Sequence, residues 1–318
     1  MVRLKKIVLL SFLFFMTLTL LPAVSLVWMD GGEMSALKLV SQSRLSLQSE
    51  GDPVVTVTIP ETGEREVMSE ADYLCGVVAS QMPPEYDDEA IKAQTVVCYT
   101  ILKYRRLHGT PGEEQSYLTR QQMKRKWGGD YAKNYSRMKR LVNQVYGEYI
   151  AYHREPILAA YHECSCGMTE YGGNIWEGDF PYLAPVESRD DLCAEDYRST
   201  VRLSEEEFSV ICREQLGLSS DKAAGDWLGE CVRSDSGYVM RYRLCGKNFT
   251  GQKLRNVFGL RSACFTIKYE DKGFVFDVRG SGHGAGMSQF GANLMALSGM
   301  TYREILAHYY KETQIIEK

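Results

Sequence analysis

The chain has 318 residues, with 37 Lys and Arg against 41 Asp and Glu and a formal net charge of −4. Hydrophobic residues make up 44% and charged residues 25%, which excludes wholesale disorder and allows one large domain or two ordinary ones. The near-neutral balance excludes the basic footprint of a nucleic-acid binder, and nine cysteines are too few for a disulfide scaffold at this length.

Arg3, Lys5 and Lys6 precede a stretch with no charged residue from Ile7 to Met29. That exceeds the about 20 residues needed to span a bilayer, and basic residues before it direct the remainder outward. The reading is an uncleaved N-terminal transmembrane anchor over residues 1–29. A cleaved signal ending near Ala23-Val24-Ser25 is the alternative, but Leu26 to Met29 prolong the apolar run. Residues 30–52 are polar and aperiodic and read as a linker, and 53–318 as one integrated domain.

Val54 to Ile59 reads as a strand stopped by Pro60. Ser69, with Asp72 three residues on, caps a helix through Leu74, Val77 and Val78 to about Gln81, where Pro83-Pro84 end it. A second helix opens at Asp87-Asp88 and closes at Arg105-Arg106 and Gly109. Residues 110–130 read as polar loop, Tyr131–Tyr146 as a helix, and Tyr149–Tyr152 with Ile157–Tyr161 as a strand pair. Residues 162–198 lack a period. Ser204 with Glu207 and Thr301 with Glu304 form capping boxes for helices ending at Gly217 and Tyr310. Val239–Leu244, Cys264–Tyr269 and Phe274–Val278 read as strands, followed by a Gly-rich turn and a helix through Leu294. Helices and strands mix without βαβ regularity, so the expected class is α+β, with antiparallel strands.

Three groups of residues carry chemical potential. The first is Gly282-His283-Gly284-Ala285-Gly286-Met287-Ser288-Gln289. Its glycines imply backbone pressed close to something, and its position before a helix leaves N–H groups to point into it. The second is His162, Cys164 and Cys166, with Cys193 downstream. On a continuing strand, 162, 164 and 166 would share a face and suit a tetrahedral zinc site, although the spacing is tighter than in zinc fingers. A disulfide within the cluster and free thiols are the alternatives. Cys75 and Cys98 sit among apolar helix residues and read as buried thiols. The third is the aromatic content, Trp176, Tyr182 and Phe290 among it, which suits a sugar-binding surface; for Tyr309 and Tyr310 core packing is the better reading.

The Gly282–Ala292 segment resembles the C-terminal signature of the SpoIID/LytB family, as does Tyr302-Arg303-Glu304-Ile305-Leu306-Ala307-His308-Tyr309-Tyr310. Thr250-Gly251, Leu254-Arg255 and Phe258 to Ser262 fit the segment before it. Gly76-Val77-Val78-Ala79-Ser80-Gln81-Met82-Pro83 and Glu89-Ala90-Ile91-Lys92-Ala93-Gln94 fit the family's N-terminal motif. The match runs over about residues 54–312, with a front part (53–160) and a Gly-His-Gly part (161–318).

The resemblance implies a peptidoglycan substrate and lytic transglycosylation of glycan strands already stripped of stem peptides. It also implies a cell-wall amidase partner of the SpoIIP type, a membrane partner of the SpoIIM type and a place on the outer face of the mother-cell membrane during engulfment. Zinc is carried in this region by some sporulation-branch relatives. Such chemistry needs one carboxyl group, which protonates the glycosidic oxygen and then takes the proton of the sugar's 6-hydroxyl. The catalytic candidates on this pattern are the Gln81 position, Glu89 and His283; the substrate-binding candidates are Ser80, Lys92, Gln94, Gly282, Gly284, Met287, Ser288 and Gln289.

At one point the chain departs from the family: the catalytic Glu of the Ala-Ser-Glu-Met-Pro motif is Gln81 here. Leu74, Val78 and Gln81 share the buried face of the helix, where burial and the helix C-terminus would raise a carboxyl pKa. A glutamine can hydrogen-bond a glycosidic oxygen but cannot transfer a proton. Either the protein binds glycan and supports its partners without cleaving, or a neighbouring carboxylate such as Glu85 acts, or the amide is a replacement that traps substrate.

Overall fold

The structure is a computed structural model that describes residues 53–58, 63, 65–109, 115–219 and 223–317. The expected anchor and linker lie outside these residues. Among the described residues no helix is long and apolar enough to cross a membrane.

The expected helices form for the reasons their sequences carry. Ser69 Oγ accepts from Asp72 N and opens the helix Glu70–Gln81. Asp87 caps the helix Asp88–His108, which ends on Gly109 in the left-handed conformation. These two pack on each other and on the helix Tyr131–Val145, with Leu74, Val78, Ile91, Val97, Leu141 and Val142 fully buried. Cys75 and Cys98 lie in this core, and burial pushes both thiols up to about 12. Tyr309 and Tyr310 are also core residues. Glu70 is buried, paired with Arg106 and accepting from Tyr146 Oη at 3.1 Å.

The 110–130 region is not all loop. Arg120–Trp127 is a helix, opened by a reciprocal capping box between Thr119 and Gln122. The box is visible in the sequence, but the polar composition of Arg120–Lys126 masks the apolar side formed by Met123 and Trp127.

The expected strand pair is also different. Tyr149–Tyr152 folds back on Glu155–Pro156 through His153 and Arg154, both with positive φ, and takes Gln314–Ile316 on its other edge. After Ile157, whose N donates to Ile150 O at 3.2 Å, the chain leaves the sheet. Tyr161–His162 instead pairs in parallel with Met287–Ser288. Two further sheets are antiparallel: Gly273–Arg279 pairs with Phe265–Glu270 on one edge and Arg198–Ser204 on the other, and Val239–Leu244 pairs with Leu228–Arg233 on one edge and Lys247–Phe249 on the other. The class is therefore mixed helices and antiparallel sheets, as expected.

The apolar interior falls into two main clusters. One unites the N-terminal helices with Leu183, Met287, Ile305, Tyr309 and Tyr310. The other is built on Phe208, from the helix Glu205–Leu216, which stacks on Phe274 with ring centroids 3.7 Å apart and on Phe258 at 5.0 Å. A small cluster of Tyr238, Ala263 and Cys264, with Cys166 against it, stands apart from both.

The segment Gly280–Gln289 is bonded to chain segments on both sides. Gly280 N donates to Tyr197 O, Ser281 N to Cys164 O, Gly282 N to Arg261 O and Met287 N to Ala160 O, at 2.7–3.1 Å. Gly286 has φ +71°, and a Cβ there would overlap the Ala160 carbonyl. Both backbone strain and collision with a backbone atom follow from any side chain. Gly286→Ala is expected to cost roughly 3 kcal/mol or more, read as a lower urea midpoint in equilibrium unfolding.

Candidate functional site

Gln81 is the last residue of its helix, with Met82 N closing the turn on Val78 O at 2.8 Å. The prolines that follow stop the helix and leave the Gln81 side chain half-buried at the wall of an open cleft of about 380 Å³. Ser80, Met82, Glu85, Lys126 and Trp127 also line it. Gln81 Nε2 donates to Ser80 Oγ at 3.0 Å. Ser80 Oγ in turn stands 2.7 Å from both Val77 O and Ser116 O. The Gln81 carbonyl accepts from Gln289 Nε2 at 3.1 Å, and the same Nε2 lies 3.4 Å from Gln94 Oε1. Three predicted site residues, Gln81, Gln94 and Gln289, thus form one hydrogen-bonded unit. Lys126, whose Nζ lies 3.4 Å from Ala79 O, and Trp127 are cleft residues that the sequence reading missed. The signal available was the unrecognised capping box at Thr119.

Glu89 and Lys92 pair with each other in the first turn of Asp88–His108. Glu89 Oε2 also accepts from Tyr302 N at 2.7 Å, and Asn293 Oδ1 accepts from Asp87 N at 2.8 Å. Glu89 thus ties this helix start to the C-terminal helices and is not among the cleft-lining residues.

His283 belongs to a different neighbourhood. Its ring lies 5.8 Å from that of His162 and 5.0 Å, edge-on, from that of Trp176. His283 Nδ1 accepts from Ala285 N at 3.1 Å, and the ring also bonds the Tyr161 backbone. Burial, and then the Arg255 charge, lower its pKa to about 4. His162 Nδ1 lies 3.1 Å from Ala285 O, while its buried Nε2 has no partner. Burial, then the nearness of His283, lower its pKa to about 3. Both rings are therefore neutral near pH 7.

The glycines of this segment face protein. A Cβ on Gly282 would come 2.6 Å from His162 Cβ, and one on Gly284 would run into the Tyr238 ring. Met287 and Ser288 are fully buried. Ser288 caps the helix Gln289–Leu297 by accepting from Gly291 N at 3.1 Å, and donates to Asp191 Oδ1 at 2.7 Å. Gly282, Gly284, Met287 and Ser288, read from sequence as substrate-binding, are occupied with packing, capping and close backbone approach.

The four predicted zinc ligands do not converge. The parallel strand ends at His162, and Cys164 pairs instead with Ser281 in an isolated antiparallel bridge. Cys164 Sγ is directed at the carbonyls of Ser165 and Asp191, and Cys166 Sγ donates to Ser236 O at 3.1 Å. Cys193 is exposed. Among the described residues no group of three or more His, Cys, Asp or Glu is placed to hold a metal ion. A tetrahedral zinc site does not fit this arrangement.

The two imidazoles make stability depend on pH. Their folded-state pKa values lie below the ordinary 6.5, so below pH 6.5 the unfolded chain binds more protons than the folded one. Their contribution is complete above about pH 6.5 and is lost as pH falls toward 4, on the order of 3 kcal/mol for His283. Urea midpoints measured from pH 7 to pH 4.5 should fall, and His283→Gln should flatten that slope by about one proton.

A family model described as SpoIID, stage II sporulation protein, matches residues 61–152. The chain is 34% identical over 259 residues to stage II sporulation protein D of Bacillus amyloliquefaciens, covering 77% of this chain and 74% of that protein. It is 31% identical to stage II sporulation protein D of Bacillus subtilis with the same coverage. To the amidase enhancer of B. subtilis it is 26% identical, over 76% of this chain and 40% of that protein. The motifs around Gln81 and His283 thus sit in a chain that belongs to the stage II sporulation protein D family.

Proposed function

We propose that this protein acts on peptidoglycan glycan strands during engulfment in sporulation, binding strands stripped of their peptides in the cleft at Gln81. The observation that carries the reading is the placement of Gln81: the position of the family's catalytic acid stands at a helix end, half-buried, in an open cleft. An acid there would feel the negative end of the helix and partial desolvation, both of which favour the protonated form that a glycosidic oxygen requires. Lys126 supplies a positive charge in the same cleft, suited to the free lactyl carboxylates of denuded strands.

With the amide in place, Gln81 can position a glycosidic oxygen but not protonate it. The absent step is worth about 10²–10⁴-fold. A second reading therefore has a specific observation behind it: a glycan-binding protein that enhances a cell-wall amidase of the SpoIIP type, beside a membrane partner of the SpoIIM type, without cleaving. Similarity to an amidase enhancer supports that partner class. Glu85 lines the cleft and is the carboxylate available for weak residual cleavage.

Purified denuded strands incubated with the native protein and with Gln81→Glu decide between them, with 1,6-anhydro ends as the readout. The expected result is release by Gln81→Glu about 10²–10⁴-fold faster than by the native protein, with strand binding similar in both. Comparable release by both would sink the non-cleaving reading. Release by neither, with binding retained, would sink the transglycosylase reading.

A further inference from the structure

Cys166 and Cys264 come from segments far apart in the chain and meet behind the glycine segment. Cys264 is fully buried, whereas Cys166 is partly exposed. Cys166 packs against the small buried cluster that contains Cys264. Each also faces one of two successive carbonyls of a single turn, Cys166 Sγ at 3.1 Å from Ser236 O and Cys264 Sγ at 3.4 Å from Gly237 O. A Cβ built on Gly237 would lie 4.0 Å from the first sulfur and 3.9 Å from the second, so that turn holds both against one point.

We propose that Cys166 and Cys264 are a reversible dithiol–disulfide pair that fastens the back of the His283 segment. The neighbouring cysteines do not compete for either sulfur, because Cys164 is turned to Asp191 and Cys193 is on the surface. Arg279 and Arg233 lie close to Cys264, so a thiolate formed in the pair meets positive charge.

The oxidant is a low-molecular-weight disulfide, RSSR. Cys166, the accessible member, gives its proton to water and attacks one sulfur of RSSR as the thiolate, forming a mixed disulfide and releasing RS⁻. Cys264 then gives its proton to that RS⁻ and attacks the Cys166 sulfur, expelling the second RS⁻, which takes up the proton first given to water. Overall the two thiols lose two electrons and two protons, and RSSR gains them as two RSH.

The consequence reaches the segment itself. Tyr238 Oη lies 3.3 Å from Cys166 N, and the Tyr238 ring fills the space that a side chain on Gly284 would need. Tyr197 Oη, on a residue whose carbonyl holds Gly280 N, donates to Cys166 O at 3.2 Å. A bond at Cys166 closes the long loop to Cys264 around these contacts and restricts the unfolded chain. The inference is independent of whether the cleft at Gln81 cleaves or only binds.

The test is peptide mapping of the native protein after incubation with glutathione disulfide and after full reduction. The expected product is one cross-linked peptide joining Cys166 to Cys264, lost on reduction, with Tm roughly 5–10 °C higher in the oxidised form. In Cys264→Ser, the cross-link and the Tm difference should vanish while Cys166 is trapped as the mixed disulfide. Both thiols remaining open to alkylation in the oxidised native protein would overturn the proposal, as would Cys166 bridged to Cys164 or Cys193. Mapping the native protein keeps the test independent of how well the variant folds.

Discussion

The structure depends on one stretch of backbone that passes where side chains cannot. From Gly280 to Gln289 the chain donates in turn to Tyr197, Cys164, Arg261 and Ala160, and then starts a helix whose first side chain bonds Gln81 O. Gly282 lies against His162, Gly284 against Tyr238 and Gly286 against Ala160, so each alternate residue is fixed by what it touches. Such close approach requires glycine, and the three form a ruler rather than a flexible loop. Asp191 completes it from below. Its buried carboxylate takes Ser165 N at 2.8 Å and Ser288 Oγ at 2.7 Å, and burial still raises its pKa against those hydrogen bonds.

The same stretch explains how residues so distant in sequence share a cleft. Ser288 ends the pairing with Tyr161–His162 and caps the next helix, which points Gln289 back at the end of the first helix. Gln289 then holds Gln81 O and meets Gln94. Gln81 is thus set through its backbone carbonyl, from the C-terminal part, while its side-chain amide is left with Ser80 at the cleft wall. Exchanging amide for carboxylate at Gln81 leaves that main-chain anchor untouched.

Much of this architecture was legible in the residues. Ser69, Asp87, Ser204 and Thr301 announced helix starts and Gly109 and Gly217 helix ends, because capping is a local hydrogen-bonding problem solved within a few residues. Tyr309 and Tyr310 were legible as core. Arg120–Trp127 was hidden because its buried side is only Met123 and Trp127 amid basic residues. Arg198–Ser204 and Leu228–Arg233 were hidden because partly exposed strands draw their pairing from segments far away, which no local pattern records. The zinc reading rested on a continuing strand after His162, whereas the parallel pairing ends there and Cys164 pairs with Ser281. The glycines were correctly read as a place of close approach, but sequence could not say that what approaches is the protein itself.

This last distinction bears on where the chemistry can lie. A proton-transferring histidine needs a nitrogen that substrate can reach and a pKa near the working pH. In His283 Nδ1 receives Ala285 N, the ring bonds the Tyr161 backbone and the pKa is lowered to about 4. Its geometry instead favours a neutral tautomer that pins the segment at Ala285, two residues before the strand pairing begins. His162 acts on the same residue from the other side, through Ala285 O. Two neutral imidazoles clamping one alanine make a rigid support, and a rigid support is what a cleft built from two ends of the chain requires. The imidazoles thus serve the cleft at Gln81 by fixing the segment that carries Gln289.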